Sequence, residues 1–454
     1  MKKKYIGAGT ALIVTASIMA GCGGNSSPQA SSPAASQAPA SSSASESAST
    51  GSDKPFAGQT VTLVTANHPW SEAITPLLPE FEAATGIKVK VENYFEDQLT
   101  QKLTVQFTAG SETPDGFMYR PLQDGQLFFK NGWVAPLDDY AHKDPEYDFA
   151  DISPSAINTT TIDGKLAGIP IITERGVLYY RKDLLEQANI PVPTTMDELV
   201  EAAKKLHNPG SEMYGFVARG QRSPLVTQLA SYIFSEGGDF ITDGKASINT
   251  PEAVKAMTTY GNLLKDSGPP GVLNMSWPQA FGIFAQGKVA FLTDADSLYT
   301  NATDPEKSTV SDKVGFALFP AGAAGSKPVN VTAWSLSINE RSKNKDAAWE
   351  LIQWATSKEN VLKAQQKGNP GARTSVWNNP EATKSFPEEL VPIIKQSMEN
   401  GVGHDRPVVV SVGEARDAVG EVVMKVITGD KDVQAAADKA NANLQAIIDK
   451  DSKR

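Results

Sequence analysis

Few residues in this 454-residue chain could do covalent or metal chemistry. It has one cysteine, Cys22, and four histidines, His68, His142, His207 and His404, none at the spacing of a helical zinc pair. No Gly-x-Ser-x-Gly nucleophile turn and no phosphate-cradling Gly-Lys-Ser/Thr run is present. Asp294-Ala295-Asp296 could present two acids to a metal, but a lone pair of that kind is common. No metal and no cofactor is expected. Paired carboxylates for glycoside hydrolysis stay open, because their separation in space is invisible in a sequence.

The elements that must position any site begin after an unusual N-terminal stretch. Lys2, Lys3 and Lys4 precede an apolar run from Tyr5 to about Ala20, then Gly21 and Cys22. A basic start, a short apolar core and small residues describe an export signal. The cysteine after Ala-Gly makes it resemble a bacterial lipoprotein signal, with Met19 where leucine is usual. The run is too short for a confident spanning helix, which needs about 20 residues. We therefore expect residues 1–21 to be removed and Cys22 to carry lipid. The protein would then be tethered at the extracytoplasmic face of the cell membrane. Residues 22–54 are rich in Ser, Ala and Pro. They cannot bury enough surface to offset ordering entropy and should be a disordered tether with a reach of about 30 Å. A single cysteine leaves no disulfide, so a hydrophobic core must hold the fold. About 400 residues remain for it, enough for two or more lobes. The formal net charge of -10 argues against nucleic acid.

Thr60 to Thr65 alternates and is β-branched, which predicts a strand. A helix follows from about Ser71 to Ala84, stopped by Thr85-Gly86. Ile87 to Val91 is a second strand, Gln98 to Ala109 a helix, and Pro114 to Tyr119 a third strand. This alternation implies a parallel sheet covered on both faces. It resumes with the strand Gly176 to Tyr180 and the helix Lys182 to Ala188. Thr195 and Glu198 make a capping box for the helix Met196 to Leu206. Trp277 to Gln286 should be a short helix, Val289 to Thr293 a strand and Val331 to Ile338 a long strand. Asp346 to Thr356 and Val433 to Asp449 should be helices.

Several stretches, in order from Thr60 to Ile448, resemble the substrate-binding proteins of carbohydrate ABC importers, extracellular solute-binding family 1. They are Phe81 to Val89, Pro114-Asp115, Asp163-Gly164-Lys165 through Ile169-Pro170, Tyr180 to Leu184, Thr194 to Leu199, Phe284 to Ala290, and Ser342 to Trp349. The resemblance implies an α/β fold of two discontinuous lobes with a hinge, the class II periplasmic-binding-protein type, and a ligand cleft between them. It implies lobes of 55–169 with 334–370 and 170–333 with 371–454. Crossings would lie at Gly168 to Arg175, Val329 to Trp334 and Asn369 to Arg373.

A sugar needs planar hydrogen-bonding groups for its hydroxyls and flat rings for its apolar faces. Asn67, His68 and Trp70 occupy the first loop after a strand, and Tyr119 and Arg120 end the third strand. Glu174 falls, without a gap, on a ligand-binding glutamate position of the family. Arg219 and Gln221 resemble its second-lobe loop, and Trp334 lies at a crossing strand. Asp294 and Asp296 stand where relatives often show Gly-x-Trp, so a stacking platform is missing here. Trp277, Arg373 and Arg406 complete the candidates; Trp133, Trp349 and Trp354 are read as core. The expectation is a monomeric receptor, not an enzyme, that binds a carbohydrate or polyol and delivers it to a membrane permease. Rival readings are a surface-anchored glycan-acting enzyme and a receptor for a non-sugar solute such as a peptide or ferric ion.

Overall fold

The computed structural model describes residues 54–453, so the expected signal, Cys22 and nearly all of the tether lie outside the described residues. An eight-stranded sheet runs through the molecule. Thr60–Ala66 pairs in parallel with Lys88–Tyr94 and with Gly116–Tyr119. Asn330–Ile338 is antiparallel to Gly116–Tyr119 and to Ile169–Arg181. The far part of Ile169–Arg181 is antiparallel to Val289–Ala295 and Val314–Leu318, and Val289–Ala295 is parallel to Tyr214–Val217.

The sheet is therefore mixed, where strand-helix alternation predicts a parallel one. The reason is topological. Ile169–Arg181 carries the chain from the first lobe to the second, and Asn330–Ile338 brings it back alongside. Two adjacent connections in opposite directions must pair antiparallel. The outward strand is a single run of 13 residues, about 40 Å long. The register of the pair slips on both sides of Trp334. Such an irregularity re-aims a side chain, and here Pro170 brings no N–H to the ladder.

Two hydrophobic cores flank this crossing. One gathers buried residues between Val61 and Ile172 and between Trp334 and Ala372. The other gathers residues between Val177 and Val331 and between Trp377 and Ile447. Trp349 belongs to the first core, with Trp133 and Trp354 packed against it. Local signals act as physics requires. Glu198 N–H donates to Thr195 Oγ1 and Thr195 N–H to Glu198 Oε2, both at 3.2 Å, opening the helix Met196–Leu206. The helix expected over Ser71 to Ala84 is instead Pro69–Ile74, a 3₁₀ turn Thr75–Leu77 and Leu78–Thr85. Pro76 and Pro79 lack the N–H that would continue it. Among the described residues no helix is long and apolar enough to cross a membrane.

Candidate functional site

A cavity of about 420 Å³ opens between the two cores at the crossing strands. The loop after Thr60–Ala66 supplies Asn67 and His68 to its wall. His68 is the N-cap of Pro69–Ile74, its Nδ1 accepting from the Trp70 N–H at 3.1 Å. Burial pushes the His68 pKa down to about 4. The ring is thus neutral at pH 7, and with Nδ1 accepting, the proton sits on Nε2 as a donor. Its centroid lies 5.8 Å from that of Trp334. Arg120 stands over the same tryptophan at 5.7 Å, a cation–π distance. Its Nη2 donates to Thr100 Oγ1 at 3.0 Å and its Nη1 to Glu96 Oε2 at 3.3 Å.

The opposite wall is built on charge. Glu174, in the outward crossing strand, accepts at Oε1 from Ser297 Oγ at 2.7 Å. Burial pushes its pKa up to about 7, with Ser297 and Arg219 opposing and Asp296 and Asp294 adding to the rise. Arg219 donates through Nε and Nη2 to Asp294 at 3.0 and 2.6 Å. Gln228 Nε2 donates to the same carboxylate at 3.0 Å. Trp277, half-buried, and Arg406 also line the cavity. Arg406 is gripped by Asp405, with contacts of 2.6 Å from Nε and from Nη2.

Of the sequence candidates, the structure brings Asn67, His68, Arg120, Glu174, Arg219, Trp277, Trp334 and Arg406 to this one cavity. It places the others elsewhere. Trp70 and Tyr119 are buried in the first core, where short apolar strands and helices stack. Tyr119 abuts Gly168 so closely that a Cβ there would sit 2.8 Å from its hydroxyl. Asp294 and Asp296 are buried behind the wall. Each is consumed by an arginine: Asp294 by Arg219, and Asp296 by the Arg175 N–H at 2.8 Å and Arg175 Nε at 3.3 Å. Arg373 is buried and donates to the Thr356, Tyr147 and Asp148 carbonyls at 2.7, 2.9 and 3.0 Å. Gln221 is exposed and off the cavity. Among the described residues no three His, Cys, Asp or Glu side chains are grouped to hold a metal.

Sequence reasoning missed Ser297, Asn301, Gln123, Asp405 and Arg416, which also line the cavity. Ser297 lies in the 3₁₀ turn Asp296–Leu298 and Asn301 in the short helix Thr300–Thr303, so reading on from Asp296 would have found them. Arg416 sits within the helix Val412–Thr428, where nothing local marks it.

Comparison with known proteins settles the family. The sequence profile of the bacterial extracellular solute-binding proteins matches residues 67–362. The chain belongs to that family. This solute-binding protein is 28% identical over 332 residues to the erythritol/L-threitol-binding protein of Mycolicibacterium smegmatis, covering 69% of each chain. It is 28% identical to the mannitol-binding protein of Pseudomonas aeruginosa, covering 70% of this chain and 75% of that one. Among solved structures, it resembles an ABC transporter solute-binding protein from Agrobacterium radiobacter in complex with ribitol. The TM-score is 0.76 at 33% identity, over 87% of this chain and 100% of that one.

Proposed function

We propose that this protein captures a polyol or monosaccharide-sized carbohydrate between its lobes and hands it to the permease of an ABC importer. One observation carries the reading: the cavity at the crossing strands is walled from both lobes by hydrogen-bonding side chains, and its volume of about 420 Å³ lies near the small end of ligand pockets. The lobes are taken as about 55–169 with 334–370 and 170–333 with 371–454; the contacts of Arg373 favour ending the first lobe a few residues later. Among the described lining residues, besides the imidazole of His68, only Trp277 and Trp334 offer rings, and Trp334 is 5% exposed. Few stacking faces and many donors and acceptors favour a ligand recognised by its hydroxyls over a long glucan. The charges of Arg120, Arg219 and Arg406 are met by carboxylates, and the donors of Arg416 are spent on neutral acceptors within the protein, which favours a neutral solute. The names of the relatives that bind erythritol, mannitol and ribitol agree with this reading.

Binding is proposed without turnover. A glycosidase needs two carboxyls facing the substrate. Glu96 and Asp405 in the wall are paired with Arg120 and Arg406, and Asp294 and Asp296 behind it with Arg219 and Arg175, which leaves Glu174 without a second free carboxyl to work with among the described residues. Thermal-shift screening against erythritol, ribitol, D-mannitol, D-tagatose and maltose tests the reading. A ligand at 100 times its dissociation constant should stabilise by about 2.7 kcal/mol. The small polyols or the ketose should shift melting most, and no product should form. Stabilisation by maltose alone, or release of products from a glycan panel, would overturn it.

The same proposal includes a monomeric receptor held to the membrane by lipid on Cys22. Cys22→Ser should then move the protein from the membrane fraction to the soluble fraction. Retention through detergent-free washes would rule the anchor out.

A further inference from the structure

The helical turn Pro121–Gly125 follows directly on Arg120 in the first lobe, yet it reaches the second. Leu122 packs against the second core. Gln123 Oε1 accepts from two second-lobe guanidiniums, Arg406 Nη1 at 2.7 Å and Arg416 Nη1 at 3.1 Å. The two arginines differ in what else they hold. Arg406 has the Asp405 carboxylate. Among the described residues Arg416 donates to neutral acceptors: the Ser223 carbonyl at 3.0 Å, Thr227 Oγ1 at 3.1 Å and Gln123. Within the second lobe Asp405 attracts Arg416 but spends both its oxygens on Arg406, so this half-buried cation has no carboxylate among its described hydrogen-bond partners, and the first lobe supplies a further acceptor.

We infer that this turn is the latch of the closed protein, with Gln123 as a positioning residue that favours closure without reading the ligand. The inference rests on the proposal that ligand is held between the lobes. A carbonyl oxygen has two lone pairs, so one amide can serve both arginines. These bonds exist only while the lobes are together. Opening hands both guanidiniums to water and exposes Leu122. Apparent affinity scales with the fraction of protein in the binding-competent state, so a latch multiplies the affinity for every ligand by the same factor. A residue touching the ligand would instead alter the ranking of ligands.

The test uses the folded protein with Gln123→Ala and Gln123→Glu, the second placing a carboxylate between the two arginines. Stopped-flow release of ribitol, D-mannitol and D-tagatose should be about tenfold faster from Gln123→Ala, by the same factor for each ligand bound. Gln123→Glu should release each more slowly than the parent. Small-angle scattering without ligand should show Gln123→Glu as the most compact of the three. Loss confined to one ligand would make Gln123 a ligand contact and overturn the latch. Equal release rates with superimposable scattering would overturn it too. If none of these solutes binds, the function proposal fails, and the scattering of the three ligand-free proteins alone decides the latch: a more compact Gln123→Glu supports it, and identical curves overturn it.

Discussion

Asp294→Ala should destabilise the ligand-free protein by about 3–5 kcal/mol, measured by urea unfolding. Asp294 is fully buried, while Arg219 keeps 12% of its side-chain surface. Removing the carboxylate strands the guanidinium, deprives Gln228 of its acceptor and leaves a void. A pair of this kind is expensive to break even where its net worth against an apolar pair is small. Ligand affinity should fall as well, because Asp294 fixes the fork of Arg219 at the cavity wall. Asp294→Asn separates the two effects: it keeps the shape and an acceptor for Gln228 but not the charge. A loss below about 1 kcal/mol for the alanine variant would show that Arg219 finds another partner and that Asp294 does not hold it.

Glu174→Gln should abolish a pH dependence of ligand affinity centred near pH 7. The folded carboxyl has its pKa raised to about 7 from an ordinary 4.5, by burial first. An acid with a raised folded pKa keeps its proton in the native state while the unfolded chain has lost it. Above about pH 4.5 the native state therefore binds more protons, and stability falls as pH rises through 7 before levelling off. The loss is on the order of 3 kcal/mol at most, since each tenfold change in a protonation equilibrium is worth about 1.4 kcal/mol. Ligand hydroxyls donating to the ionised form would offset that cost, so affinity should rise with pH over the same window. Calorimetric titration from pH 5.5 to 8.5 measures it. A flat profile in the parent protein, or an unchanged slope in Glu174→Gln, would show that Glu174 does not titrate against the ligand.

The carboxylates mark how far the site was legible in the sequence. Glu174, Asp294 and Asp296 look alike there: each is an acid on or just after an apolar strand. Only Glu174 faces the cavity. Which acid is left to meet a ligand depends on where Arg175 and Arg219 point, and Arg219 lies 75 residues from its partner. Tryptophans raise the same ambiguity. Trp70 follows a strand as a site residue should, but it fills the first core, whereas Trp334 is both core and wall.

The features readable from the chain were local or repetitive. Alternation and β-branching mark the strand Thr60–Ala66, and a threonine and a glutamate three residues apart start the helix Met196–Leu206. Ordered motifs along the chain identified the family. These signals rest on contacts between near neighbours, so they survive without knowledge of the fold. Everything else waited on long-range packing. The helix Leu225–Glu236 is buried on every side, so its polar stripe of Thr227, Ser231 and Ser235 meets protein instead of water, with Ser231 and Ser235 accepting from the N–H groups of Val329 and Lys327. The mixed sheet follows from two crossing strands that meet only after folding. Arg406 and Arg416 converge on Gln123 from more than 280 residues away. Burial and charge pairing are properties of a surrounding volume, and a chain acquires that volume only when its distant segments pack.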